Sequence, residues 1–187
     1  MTTVYFIRHC HPNYLNLDDR QRELTDKGLL DRERVTDFLK DKHVNYAYSS
    51  PYRRSYDTIK PFASKVGIQI QIVEDFRERA IGHVWQKPEV DYITKQWADF
   101  DYHLSGGESI NQVQQRNIRA LEHIIRQHPM QTIVIGSHGT AMSAIANYYD
   151  TSFGVEDTLR IKDQMPWVVE LNFDDSGHCI AVREWDI

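Results

Sequence analysis

The opening stretch MTTVYFIRHCHP runs a short segment of strand character, Thr3–Ile7, straight into Arg8, His9, Cys10 and His11. Those four side chains could do chemistry in three ways. His9-x-His11 has the spacing of a metal-binding pair. Cys10 could open a cysteine-phosphatase loop. His9 could itself act as a nucleophile beside the cation Arg8. The fourth reading is a solvated strand end with no chemistry. Nine histidines supply neither a His-x-x-x-His pair nor an Asp-His dipeptide to complete a metal site. The barrels that carry such sites need ~250 residues. A cysteine-phosphatase loop closes with arginine after five intervening residues, and that position holds Asn16. The histidine reading fits best, and it requires other groups to converge on His9.

The elements that would bring them there follow from periodicity. Thr25 is positioned to cap a helix running to about Leu39, with Val35, Phe38 and Leu39 facing inward. Tyr46–Tyr48 reads as a strand. Ser50-Pro51 is expected to open a helix, Ser50 as the cap and Pro51 at the first helical position. Ile59, Phe62, Ala63 and Val66 form its apolar stripe. Ile68–Val73 alternates as a half-exposed strand. Helix is expected around Glu89–Phe100, with irregular chain on either side. Ser109-Ile-Asn-Gln112 is a capping box that opens a helix carrying Ile110, Val113, Ile118, Leu121, Ile124 and Ile125. Thr132–Ile135 is a buried strand, followed by a helix to about Tyr149. Trp167–Phe173 and Cys179–Trp185 form a hairpin across Asp-Asp-Ser-Gly177. Alternating strands and helices predict an α/β three-layer sandwich with a mostly parallel central sheet and a C-terminal antiparallel hairpin.

In such sheets ligands bind beyond the carboxyl ends of the strands. Two predicted strands end in histidine, at Arg8-His9 and at Gly136-Ser-His-Gly139. The second histidine adjoins a helix N-terminus, where free N–H groups favour an anion. A third strand leads to Arg53 and Arg54 at the start of a helix, where cations oppose the helix dipole. That placement makes sense if they face an anion. Each feature alone has an ordinary structural explanation, and only their position at equivalent strand ends argues for a site.

Arg8-His9, Leu24-Thr-Asp-Lys-Gly28, Ser49-Ser-Pro-Tyr-Arg-Arg-Ser55, Arg77-Glu-Arg79 before Gly82, Gly106-Gly-Glu-Ser109 and Ser137-His-Gly139 occur in this order along nearly the whole chain. The set resembles the histidine phosphatase superfamily, in its phosphoglycerate mutase-like branch. The resemblance implies a phosphoglycerate mutase-like fold and a phosphoryl group carried on His9. It implies a phosphate pocket of Arg8, Arg54, His138 and Gly139, with Glu78 as general acid. In the acid phosphatase branch the acid directly follows the second histidine. Here that position is Gly139, which supports Glu78. No cofactor or metal is implied. Neutral imidazole suits attack on an anionic phosphomonoester, provided cations neutralise the phosphoryl oxygens.

The chain departs from the pattern at Cys10, where most relatives have Gly, at His11-Pro12, and at Gly82-His-Val-Trp85-Gln. Altered pocket geometry and tolerated variation are both open readings of Cys10 and His11. Trp85, Tyr92, Trp97, Phe100 and Tyr102 are read either as a small cap over the pocket, within residues 79–107, or as ordinary core. Mutases of the family carry a longer insertion and a C-terminal tail. Asp75–Gly107 lacks an Arg-Arg pair and the chain ends directly after a strand. A phosphatase is therefore expected over a mutase-type phosphoryl transfer, with a non-catalytic phosphate-binding protein as the remaining alternative.

Composition bounds the rest. A chain of 187 residues is expected to form one domain, 1–187. A net charge of −5 with interspersed signs argues against nucleic acid or an anionic membrane as partner. A small phosphomonoester or a phosphoprotein is the expected substrate, and the sequence leaves the oligomeric state open. Neither a charged leader nor a transmembrane span is expected, and two cysteines give no disulfide framework. A reduced cytoplasmic setting is expected.

Overall fold

Alternation within the first strand sets the layers. In β1 (Thr2–Arg8) the side chains of Val4 and Phe6 join one apolar cluster, while Tyr5 and Ile7 join another on the opposite face. The computed structural model describes all 187 residues. After β1 come α1 (Asp26–Leu39), β2 (Tyr46–Ser49), α2 (Arg53–Val66) and β3 (Ile70–Ile72). A single 3₁₀ turn (Glu74–Phe76), α3 (Val90–Ala98) and α4 (Ile110–Gln127) follow. The chain finishes with β4 (Thr132–Ser137), α5 (Gly139–Tyr149), α6 (Val155–Arg160), β5 (Trp167–Phe173) and β6 (Cys179–Trp185).

The six strands form one sheet in the order β3-β2-β4-β1-β5-β6. β3, β2, β4 and β1 are parallel, and β5 and β6 are antiparallel to their neighbours. Val35, Leu39, Ile59 and Phe62 of α1 and α2 cover one face. Ile118, Leu121, Met142 and Ile145 of α4 and α5 cover the other. The expected three-layer sandwich with its C-terminal hairpin is therefore present. The register brings Arg8 opposite Ser137, and Ser49 opposite Gly136, so three parallel strands end at one level. No helix is long and apolar enough to cross a membrane.

Three sequence expectations change. Ser50 does not cap α2. That helix starts at Arg53, its cap residue is Tyr52, and no side chain caps it. The Ser50 hydroxyl is engaged elsewhere, and Pro51 with extended Tyr52 carries the chain off the sheet first. β3 is shorter than Ile68–Val73. α6 was not anticipated, although Asp157, three residues beyond Gly154, accepts from the Gly154 N–H at 3.0 Å as a helix start would require.

Gly28, inside α1, has a steric reason. A Cβ there would collide with the His11 carbonyl oxygen. That oxygen also accepts from the Thr25 N–H at 3.0 Å. The start of α1 is thus pressed directly against the turn that follows His9.

Candidate active site

His9 leaves β1 still in register, its N–H donating to the Ser137 carbonyl at 3.1 Å. Its side chain is buried. Nδ1 lies 2.8 Å from the Cys10 carbonyl oxygen. A carbonyl only accepts, so Nδ1 carries the proton and Nε2 keeps its lone pair. Burial, and then the charges of Arg54 and Arg8, hold the His9 pKa well below the ordinary imidazole range. The ring is neutral at pH 7, as a nucleophile must be.

His138 is the cap residue of α5 and lies beside His9, ring centroids 5.3 Å apart. Burial, Arg54 and His9 depress its pKa in the same way. Its Nε2 meets the Ser50 hydroxyl at 2.7 Å, while its Nδ1 has no protein partner. This is where the Ser50 hydroxyl is used. The Arg8 guanidinium packs against Gly139, where a Cβ would come within 3.1 Å of it. The carbonyls of Lys162, at 2.9 Å, and Gln164, at 3.0 Å, hold it from beyond α6. Arg54 pairs with Asp19 at 3.1 Å and lies over the Tyr52 ring.

Glu78 sits at the N-terminus of α5. Its Oε2 accepts from Thr140 N–H at 3.1 Å, and its Oε1 from Arg79 and Ala141 N–H at 2.8 and 3.2 Å. The segment that carries it is clamped from below. Arg116 of α4 donates to the carbonyls of Asp75, Arg77 and Glu78. The same guanidinium makes a two-point pair with Glu108 at 2.8 and 2.9 Å, and Glu108 also accepts from Arg77. Sequence reading missed Arg116 and Asp19 entirely. Glu108 belongs to the Gly106-Gly-Glu-Ser109 motif, which by itself assigns it no role. Arg116 carried a usable signal, being a cation on the inner face of α4 between Val113 and Ile118.

Arg8, His9, Arg54, Glu78 and Gly139 line one cavity of about 330 Å³, with His138 buried behind His9. Six cationic side chains line it, Arg22, Arg79, Lys87 and Lys162 besides Arg8 and Arg54, against the carboxylates Glu78 and Asp163. The local sign is opposite to that of the whole chain.

The open questions at the first strand end now have answers. Cys10 is fully buried in the core, and its N–H donates to Thr58 Oγ1 at 2.9 Å. Its φ is not positive, so no glycine is required there. Burial pushes its thiol up to about 12, which rules out thiolate chemistry. His11 turns away from His9, its Nδ1 3.2 Å from Thr25 Oγ1 and its ring edge-on to Tyr14. It contributes to the pocket wall. No three His, Cys, Asp or Glu side chains cluster as metal ligands would.

The aromatic cap is only partly realised. Of the five residues proposed for it, Trp85 alone lines this cavity. Trp97 packs on Phe100 and Phe153 in the core, while Tyr92 and Tyr102 contact each other beside a smaller cavity next to α3. Ile93 reaches the pocket instead, because its position on α3 faces inward.

A family model described as histidine phosphatase superfamily (branch 1) matches residues 4–186. The chain belongs to this superfamily. Among curated proteins, a putative phosphoserine phosphatase 2 from Hydrogenobacter thermophilus is 27% identical over 187 residues, covering 93% of this chain and 91% of that protein. A phosphoglycerate mutase-like protein 4 from Arabidopsis thaliana is 30% identical over 135 residues, 66% of this chain and 58% of that one. The chain thus spans little more than half of the plant protein. Among solved structures, a phosphoserine phosphatase from Entamoeba histolytica in complex with 3-phosphoglyceric acid has a TM-score of 0.80. It is 21% identical and covers 100% of this chain and 98% of its own. A mycobacterial glucosyl-3-phosphoglycerate phosphatase with VO3 has a TM-score of 0.77 at 18% identity, covering 98% of each chain.

Proposed function

We propose that this protein hydrolyses small phosphomonoesters through a phosphohistidine on His9. The observation that carries the reading is a neutral His9 with Nε2 unprotonated, sharing one cavity with the guanidinium groups of Arg8 and Arg54. Nε2 attacks phosphorus opposite the ester oxygen. The N–P bond forms, the P–O bond breaks, and the Glu78 carboxyl gives its proton to the departing alkoxide. Water then attacks the phosphohistidine, Glu78 takes a proton from it, and phosphate leaves with His9 restored. Arg8 and Arg54 neutralise the phosphoryl oxygens in both steps, and the neutral His138 beside His9 adds only a hydrogen bond.

The excess of cations along the cavity supports a substrate with a second acidic group over a neutral sugar or a large phosphoprotein. A cavity of about 330 Å³ is at the small end for ligand sites and fits a small molecule. In this reading residues 1–187 work as one domain, with 79–107 as its cap. Hydrolysis is favoured over mutase-type transfer, and the two unpaired cysteines suit a reducing cytoplasm.

The test is rapid-quench labelling with a radiolabelled phosphorylated acid. The expected product is a base-stable, acid-labile phosphoprotein that is absent in His9→Ala. Phosphate release should survive chelation and be blocked by orthovanadate. An acid-stable label on another residue type would overturn the reading.

A further inference from the structure

We propose that Arg22 is a third arginine of the phosphoryl cage, in direct contact with the phosphoryl group held at His9. The inference rests on the phosphomonoesterase reading and deepens it.

Arg22 belongs to the irregular segment between Pro12 and Leu24, which is tied at its neck. Pro12 bridges to Leu24, the Asn13 N–H donates to the Glu23 carbonyl at 2.8 Å, and the Glu23 carboxylate accepts from Asn13 and Asn16 side chains. In this loop Gln21 is exposed, yet Arg22 is turned inward with 1% of its surface accessible. Burying a guanidinium on a polar loop is costly unless its charge and donors are met.

Its donors are met only in part. Nε donates to the Asn16 carbonyl at 2.8 Å, and Nη1 to Asp19 at 2.8 Å. Nη2 is buried and has no protein partner. The plane of the group is set by Trp85, whose ring centroid lies 3.8 Å away, and Trp85 in turn stacks on Tyr14. The guanidinium is therefore fixed on two edges and one face. The remaining donor belongs to a side chain that lines the His9 cavity.

The charges point the same way. Asp19 is shared between Arg22 and Arg54, at 2.8 and 3.1 Å. One arginine would suffice to pair it. With Glu78 in the protonated form that the first step requires, Arg8, Arg54 and Arg22 against Asp19 leave two positive charges around His9, which match a phosphoryl dianion. Without Arg22 only one would remain. Two arginines on one carboxylate leave a net positive charge that an anion in the cavity would offset.

Arg22→Met removes the donors while keeping the bulk of the side chain, and Arg22→Lys keeps the charge. Orthovanadate inhibition, inorganic phosphate inhibition and kcat/KM on nitrophenyl phosphate would be measured for both, with thermal unfolding as the folding control. Loss of one charged donor to the phosphoryl group should weaken vanadate and lower kcat/KM by about 10- to 100-fold in Arg22→Met. Arg22→Lys should recover part of this. Added guanidinium ion should partly restore Arg22→Ala. Trp85→Leu, which removes the platform but leaves the charge, should weaken vanadate by less than Arg22→Met does. Wild-type vanadate affinity in Arg22→Met would overturn the inference. So would a loss that neither lysine nor guanidinium relieves, since that is the mark of a packing role. A wild-type protein that neither hydrolyses phosphomonoesters nor binds vanadate would instead remove the functional reading, and this inference with it.

Discussion

At the scale of single residues, Glu78 raises the sharpest question. Its carboxylate accepts N–H bonds from Thr140 and Ala141 in the first turn of α5, so it also serves as that helix's capping group. A capping role alone would make it a stability residue. The leaving group separates the two roles. An alkyl phosphate expels a basic alkoxide and needs the proton in the transition state, whereas nitrophenolate barely does. General acid catalysis typically contributes ~10²–10⁴-fold. Glu78→Gln retains a side-chain oxygen for the cap but has no proton of the right acidity. It should slow phosphorylation by alkyl phosphates by that order of magnitude and by nitrophenyl phosphate much less, in rapid-quench measurements. Equal losses on both substrates would leave Glu78 as a cap.

At the scale of elements, the site depends on a helix that never reaches the cavity. Arg116 of α4 holds three carbonyls of the Asp75–Glu78 segment, those of Asp75, Arg77 and Glu78, and Glu108 pairs with the same guanidinium. The segment lacks regular structure of its own beyond one 3₁₀ turn, so these bonds replace a sheet ladder in positioning Glu78. Arg116→Met leaves Glu108 without its main partner and breaks the clamp. Truncating one member of a buried charged pair costs about 3–5 kcal/mol. We expect a lowered unfolding midpoint together with a fall in kcat on alkyl phosphates larger than that on nitrophenyl phosphate. A stability loss with unchanged leaving-group dependence would confine Arg116 to packing.

For the whole molecule, the buried neutral histidines link folding to pH. His9 and His138 both have folded pKa values below the ordinary imidazole value of about 6.5, because burial and neighbouring arginines disfavour their charged forms. Between the folded and unfolded values the unfolded chain binds more protons. Stability from this source is complete above about pH 6.5 and is lost as pH falls below it. Urea midpoints measured from pH 7.5 to 5 should therefore decline. The double variant His9→Gln with His138→Gln should show a flatter profile over the same interval. An equally steep decline in the double variant would assign the acid sensitivity to other groups.

The sequence by itself determined the layered fold and the pairing of chemistry with strand ends. Period-2 and period-3.6 patterns are local, and Arg8-His9 and Ser137-His138 are adjacent to the patterns that place them. Even the hairpin limits, Trp167–Phe173 and Cys179–Trp185, were legible, because a turn signal separates two β-rich runs. What the tertiary structure decided lies in groups without a local signature. Ser50 looked like a cap, and only the approach of His138 from a strand two positions removed in sequence order shows where its hydroxyl goes. Cys10 could be judged inert only once the core had closed over it. Asp19, Arg22, Glu108 and Arg116 sit in loops or on a helix face as charged residues do everywhere in proteins. The roles of Asp19, Glu108 and Arg116 arise from partners 31 to 41 residues away, such as Asp19 with Arg54 and Arg116 with Asp75, and Arg22 takes its plane from Trp85, farther still along the chain. No short pattern encodes such pairs, because burial of their charges becomes affordable only when the distant partner is in place.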